Sequence, residues 1–259
     1  MLLAFDDVGP GPVVVLIHGF PLNRKMWDAQ FTEVGSLYRI IAPDLRGAGE
    51  TAVPDGVYTI DLLADDVIET LDALSLTEPV VLGGLSMGGY VALSLVARYP
   101  SRFRGLMLMN TRAVADSPAA AEGRESLARQ VEQSGKPDGV VDAMIPKLFA
   151  PASYVTHATI VERIKAQAMQ ANPLGLANTL RGMATRPDRT GDLARISIPT
   201  LVLAGADDQI IPIAESKSMA SMIPHGRLEI IPDAGHLAPL ENKSASNAAI
   251  LGFLRSLGD

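Results

Sequence analysis

Five residues, Gly84-Leu85-Ser86-Met87-Gly88, follow directly on the apolar run Pro79-Val80-Val81-Leu82-Gly83, and no other stretch constrains the fold so tightly. Their order predicts a strand, a sharp turn with a serine at its tip, and a helix. The flanking glycines leave room for backbone so tightly bent that a side chain at either position would meet the neighbouring strand or helix. A serine held there presents its hydroxyl above the sheet edge, at the positive end of the following helix. Glycine and serine are common enough here that the pentapeptide says little without its context.

That context is an alternation of short apolar runs and amphipathic stretches. Val13-Val14-Val15-Leu16-Ile17 predicts a buried strand and Arg39-Ile40-Ile41-Ala42-Pro43 the next. From Ile60 to Leu74 the spacing is helical, with Leu63, Val67, Leu71 and Leu74 on one face and Asp65, Asp66 and Glu69 opposite. Val80-Val81-Leu82 predicts a strand, Gly89 to Arg98 a helix, and Gly105-Leu106-Met107-Leu108-Met109 another buried strand. Continuous apolar strands separated by helices imply an α/β fold, with a mostly parallel central sheet and helices on both faces. Such sheets bind ligands beyond the carboxyl ends of their strands, where Ser86 is expected.

The rhythm breaks after Asn110. Helices are expected near Ala120–Ser134, Gly139–Leu148, Tyr154–Ala171 and Leu174–Ala184, divided by Pro118, Gly135-Lys136-Pro137, Pro151, Asn172-Pro173 and Pro187. Strands resume at Thr200–Gly205 and Arg227–Ile231, and a last helix spans about Lys243–Leu257. The expected organisation is a core from residues 1–111 and 193–259, with residues 112–192 inserted as a helical cap over the strand ends.

A chain of 259 residues buries roughly 70–75% of its unfolded surface, enough for one large core and a small cap. The net charge of −7 argues against nucleic acid or an anionic membrane surface as a partner. The absence of cysteine removes disulfides, thiol catalysis and thiolate metal sites together. Met1–Asp7 has no basic region and meets acid after five residues, so no signal peptide is expected. No apolar run reaches the roughly 18 residues of a membrane span. Cytoplasmic location and a monomeric state are the default expectations.

An activated serine needs a base within hydrogen-bond reach, an acid to orient that base, and donors for a developing oxyanion. His236, in Pro232-Asp233-Ala234-Gly235-His236, falls in the loop after the last strand. The Asp207-Asp208 pair follows the strand before it, on the same rim as Ser86. Either aspartate serves as acid, and one of the two is free to cap the helix expected near Pro212. Asp116 and Asp233 are weaker rivals. Of the other histidines, His157 is expected mid-helix in the cap and His225 in a turn. His18, ending a strand, is expected to support the adjacent loop. One oxyanion donor should be the N–H of Met87. The second should come from the His18-Gly19-Phe20-Pro21 loop, with Phe20 as the donor.

Five segments together resemble the α/β-hydrolase superfamily: His18-Gly19-Phe20-Pro21, Pro43 to Gly49, Gly84 to Gly89, Gly205-x-x-Asp208-x-x-x-Pro212, and Gly235-His236. The wording of Gly83 to Tyr90, Asn110-Thr111-Arg112 with Asp116-Ser117-Pro118, and Met183-Ala184 with Arg186-Pro187-Asp188 resembles small bacterial carboxylesterases of that superfamily. The resemblance implies that Asp208 rather than Asp207 is the acid. It also implies a preference for short acyl chains and the absence of metal or organic cofactor. Two departures touch local geometry only. Arg46-Gly47-Ala48-Gly49 continues as Glu50-Thr51 where the family ends on serine, and Lys243 stands where proline is usual.

The expected function is therefore hydrolysis of small carboxylic esters by Ser86, His236 and Asp208. The Gly-Leu-Ser-Met-Gly-Gly turn and Met26-Trp27-Asp28 also resemble enol-lactonases, and perhydrolases and some C–C bond hydrolases share the machinery. A hydrolase-like ligand receptor is the remote alternative. Phe20, Met144 and Leu148 are expected to contact the substrate, while Phe149, Ile164, Met169 and Leu180 complete the apolar faces of the cap. Trp27 either borders the pocket mouth or anchors its helix.

Overall fold

Side chains alternate between the two faces of a strand, so a strand apolar at every position needs cover on both sides. The computed structural model describes residues 1–258. Its strands are β1 (Phe5–Val8), β2 (Val13–Ile17), β3 (Arg39–Pro43), β4 (Val80–Leu85), β5 (Phe103–Met109), β6 (Thr200–Gly205) and β7 (Gly226–Ile231). They form one sheet in the order β1-β3-β2-β4-β5-β6-β7. β1 runs antiparallel to β3, and all other neighbours are parallel.

The helices are α1 (Asp28–Glu33), α2 (Ile60–Ala73), α3 (Met87–Arg98), α4 (Pro118–Ser134), α5 (Asp138–Leu148), α6 (Ser153–Thr156), α7 (Ala158–Ala168), α8 (Pro173–Ala184), α9 (Ile213–Met222), α10 (Ala238–Glu241) and α11 (Lys243–Ser256). Val15, Ile17, Leu82, Leu106 and Leu108 pack with α2 and α3 on one side of the sheet. Val14, Leu16, Val81, Met107 and Met109 pack with Trp27 and α11 on the other. Helices α4 to α8 stand between β5 and β6 in the chain. They join both clusters, α4 and α8 adding to the first, α5 and α7 to the second. Among the described residues no helix is long and apolar enough to cross a membrane.

Chain direction across the sheet reverses at β2, with β3 laid on one side and β4 on the other. The loops leaving β2 and β4 therefore part at their carboxyl ends and open a crevice, the usual ligand site of such sheets.

Several local expectations change. The helix expected over Tyr154–Ala171 is two helices, α6 and α7, with His157 at the break rather than within a turn of helix. Asp66 does not face solvent. It is buried on α2 and takes two bonds of 2.7 Å from the Arg46 guanidinium. Trp27 is fully buried and anchors its segment. Met169 is 41% exposed and does not join the apolar cover.

The motifs at the two ends of the insertion meet each other. Asp116, just before α4, is bonded by Arg124 and, at 2.7 Å, by Arg186, which follows α8. The Arg186 guanidinium also lies 4.2 Å over the ring of Tyr90 on α3. The beginning and the end of the insertion are thus pinned together on the helix that follows Ser86.

Candidate active site

Ser86 sits at φ 54°, ψ −114°, a backbone conformation rarely adopted by a side-chain-bearing residue. Strain of this kind amounts to about 1–3 kcal/mol and persists only where the surroundings enforce it. Here they do. A Cβ on Gly84 would lie 2.1 Å from the Gly88 carbonyl oxygen, and one on Gly88 would lie 2.3 Å from that of Ile17. The Ser86 amide donates to Met109 O at 2.9 Å, and its carbonyl accepts from Thr111 Oγ1 at 2.7 Å. Every residue from Val80 to Val96 is buried except Ser86.

The structure brings His236 and Asp208 together. His236 Nδ1 lies 2.9 Å from Asp208 Oδ2 and 3.1 Å from Oδ1, with both side chains 1% exposed. Facing a carboxylate, Nδ1 carries the proton, so Nε2 is the acceptor nitrogen. Nε2 is buried and makes no hydrogen bond. Ser86 Oγ makes none either among the described residues, so the serine–histidine bond is open in this structure. Burial works against ionisation of Asp208. The bonds from His236, Asn110 and the Ile211 amide outweigh it and hold the carboxyl below its ordinary range.

Asp208 also turns its own loop, with Oδ1 accepting from the amides of Ile210 at 2.8 Å and Ile211 at 3.0 Å. Asp207 is exposed, Asp233 occupies an exposed turn, and Asp116 is spent on its arginines. The aspartate that meets His236 is therefore Asp208.

Asn110, which the sequence offers only within the Asn110-Thr111-Arg112 resemblance and without a role, holds that acid from behind. At φ 46° its Nδ2 donates to Asp208 Oδ2 at 2.8 Å and to Gly235 O at 3.2 Å. Arg112 adds a bond of 2.5 Å to Ile210 O in the same loop. The signals in the sequence were that resemblance and their place just after β5, at the rim.

The Phe20 and Met87 amides have no protein acceptor among the described residues. Met87 opens α3, so its N–H stands at the positive end of a helix. The Phe20 loop is held by His18, whose Nε2 accepts from the Leu45 amide at 3.0 Å, and whose Nδ1 faces Gly19 O at 3.1 Å. Burial lowers the pKa of His18, consistent with a neutral ring in this role. The Phe20–Pro21 peptide is cis.

A cavity of about 240 Å³ begins at Phe20 and Met87. It runs between the Asp44–Glu50 loop and the inserted helices, where Gln167, Gln170, Leu176 and Thr179 line it. Its walls include Phe20 but neither Met144 nor Leu148. Leu148 is 1% exposed, and its carbonyl accepts from the Leu237 amide at 3.1 Å. Met144 is half-buried against the packed clusters. Among the described residues no three His, Asp or Glu side chains are gathered as a metal site requires.

Comparison with known proteins agrees with this architecture. The structure is similar to a thermophilic esterase from Thermogutta terrifontis solved with malate bound, at 45% identity and a TM-score of 0.97, covering 99% of this chain and 94% of that one. It is also similar to an enol-lactonase from Burkholderia xenovorans, at 26% identity and a TM-score of 0.90, covering 98% and 96%. In sequence, a 3-oxoadipate enol-lactonase from Acinetobacter baylyi is 31% identical over 94% of this chain and 89% of its own length. The sequence model of the alpha/beta hydrolase fold matches residues 12–243. With the strained serine turn, the strand order and these matches in agreement, the chain belongs to the alpha/beta hydrolase family.

Proposed function

We propose that the protein is a serine carboxylesterase acting on small esters with short acyl chains. The observation that carries this is the pairing of Asp208 with His236 Nδ1, which leaves Nε2 buried and unpaired on the rim that also carries Ser86. In the proposed cycle Nε2 takes the Ser86 proton as Oγ attacks the ester carbonyl. The Asp208 carboxylate stabilises the imidazolium, and the Phe20 and Met87 amides receive the tetrahedral oxyanion. Collapse breaks the bond to the alkoxy oxygen, which leaves as alcohol with the proton from His236. Water then adds to the acyl-enzyme by the same route, its proton passing through His236 back to Ser86, and the carboxylic acid departs. No other group is needed to balance either half-reaction.

The cavity supports a small substrate. Its volume of about 240 Å³ lies below the usual 300–1,000 Å³ of small-molecule sites. Gln167, bonded to Asn23, and Gln170 place polar groups among Ala171 and Leu176 in its wall. In this reading the inserted helices act as a cap, and α7 and α8 limit acyl length. The similarity to an esterase supports the reaction class.

The enol-lactonases among the similar proteins favour a second reading, in which the scissile ester lies within a ring and both products leave as one molecule. A panel of p-nitrophenyl esters from acetate to octanoate, run beside an enol-lactone, decides between them. The esterase reading expects kcat/KM to peak at acetate to butyrate and to fall with longer chains. An enol-lactone turned over faster than every aryl ester would favour the second reading. Hydrolysis of none of them would overturn both.

A further inference from the structure

Behind His236 lies a carboxylate that the proposed cycle does not use. Glu241 is 4% exposed, on α10. Its Oε1 accepts from the Gly235 amide at 2.9 Å, and its Oε2 accepts from the Ala150 amide and Ser153 Oγ, each at 2.7 Å. Gly235 precedes His236 in the loop. Ala150 and Ser153 belong to the inserted segment, between α5 and the start of α6. No cation pairs with Glu241 among the described residues. Its surroundings are neutral donors, and the nearby Tyr154 hydroxyl is directed to Ile145 O.

Burial opposes the charge of a carboxylate with no cation beside it, and the three donors offset that cost in part. Burial does push the Glu241 carboxyl above its ordinary range despite the three donors. Its three bonds join the loop that carries His236 to the inserted segment.

We propose that Glu241 is a positioning residue, which fixes His236 for catalysis by fastening the Gly235-His236-Leu237 turn to the inserted segment Leu148–Ser153. Further contacts converge on the same seam. On the far side of His236, the Leu237 amide donates to Leu148 O at 3.1 Å. Beside Asp208, Gln209 Nε2 donates to Phe149 O at 2.8 Å. The backbones touch at Gly235, where a Cβ would lie 2.3 Å from Ala150 N. Both neighbours of His236 and one neighbour of Asp208 are thus tied to three consecutive residues of the insertion. Along this edge the insertion is a fixed wall of the site and not a lid. The cavity between α7, α8 and the Phe20 loop has none of Leu148–Ser153 in its wall.

Glu241→Gln isolates this role, because it removes the buried charge while keeping the shape. One of its two terminal groups becomes an amide NH₂ that faces a backbone N–H, so the Gly235 bond and the Ala150 bond cannot both survive. The proposal rests on the esterase reading, so its test includes a measurement that needs no substrate. Turnover of p-nitrophenyl acetate is measured per active site, with sites counted by fluorophosphonate labelling. The low-field Nδ1 proton of His236 is followed by NMR, assigned by its loss in His236→Ala.

The expected result for Glu241→Gln is thermal stability at or below that of the wild type, and a kcat per site lowered about 10- to 100-fold with KM within about threefold. The Nδ1 proton should shift or broaden. Wild-type kcat per site with an unmoved proton would overturn the proposal, as would a loss that lies wholly in stability. Ser153→Ala removes one neutral donor and leaves the Gly235 bond in place, so its kcat should fall by about threefold. Should Glu241→Gln not fold, Ser153→Ala decides alone, and an unchanged kcat there would overturn the proposal. A wild-type protein with no esterase activity would defeat the function, while the His236 proton in the same variants would still decide for Glu241.

Discussion

Asn110 Nδ2 donates to Asp208 Oδ2 at 2.8 Å, and that bond joins the end of β5 to the acid loop that follows β6. The same oxygen receives His236 Nδ1 at 2.9 Å, so one carboxylate oxygen is held from two sides. Asn110 supplies the geometry of the acid without adding charge to it.

A hydrogen bond to a charged group contributes about 1.5–3 kcal/mol. Asn110→Ala should therefore lower kcat/KM on p-nitrophenyl acetate by roughly 10- to 100-fold. Asn110→Asp should be worse, because it sets a second carboxylate against Asp208 and removes the donor. Equal activity in Asn110→Ala and wild type would show that Asp208 is held adequately by the Ile210 and Ile211 amides.

The two adjacent aspartates differ in burial and in contact. Asp208→Asn disrupts the acceptor that fixes the His236 tautomer and should lower kcat by about 10⁴-fold. Asp207 is exposed, and Asp207→Asn should leave kcat within about twofold, as for surface changes generally. Steady-state kinetics of the pair checks the assignment. A severe loss in Asp207→Asn with a mild one in Asp208→Asn would move the acid by one residue.

Asp116 provides a pH test away from the chemistry. Burial works against its ionisation, but Arg124 and Arg186 outweigh it and hold its pKa below the ordinary value. A carboxyl depressed in the folded state contributes stability that is complete above its unfolded pKa and is lost as pH falls through its folded pKa. Asp116→Asn leaves Arg186 buried and uncompensated, and should destabilise by about 3–5 kcal/mol at neutral pH. Urea unfolding across pH should show the gap to wild type closing in acid, below the ordinary aspartate range. A gap that stays constant would mean that the ion pair is not its source.

The parts of this molecule that the sequence announces are those built from local signals. Strands β2 to β6 are built on apolar runs, β7 interleaves Arg227 and Glu229 with Leu228, Ile230 and Ile231, and Ser86 is bracketed by glycines that the tight turn requires. β1 is not announced, because Phe5-Asp6-Asp7-Val8 is a short, half-exposed edge strand with two acidic residues at its centre. The break at His157 has no proline or glycine to mark it. Asp66 follows helical spacing to the solvent face, yet Arg46, from a distant loop, covers it.

The site divides in the same way. Ser86, Asp208 and His236 stand just past strands, where a pattern of runs and loops reveals them. Asn110 acts through a partner 98 residues away, and Glu241 joins Gly235, 6 residues before it, to Ala150, 91 residues before it. Their roles exist only once the chain has folded, and no spacing encodes them. Met144 and Leu148 satisfy the helical pattern expected of a pocket wall. Periodicity cannot tell a face turned to the substrate from one turned to the core, and Leu148 is turned to the core.

Ser86→Ala tests the central claim most directly. If Ser86, His236 and Asp208 act as a unit, this variant should fold as the wild type does and hydrolyse p-nitrophenyl acetate with kcat lowered on the order of 10⁶-fold. Turnover within about tenfold of wild type in folded Ser86→Ala would contradict it, because the attacking oxygen would then have to come from elsewhere.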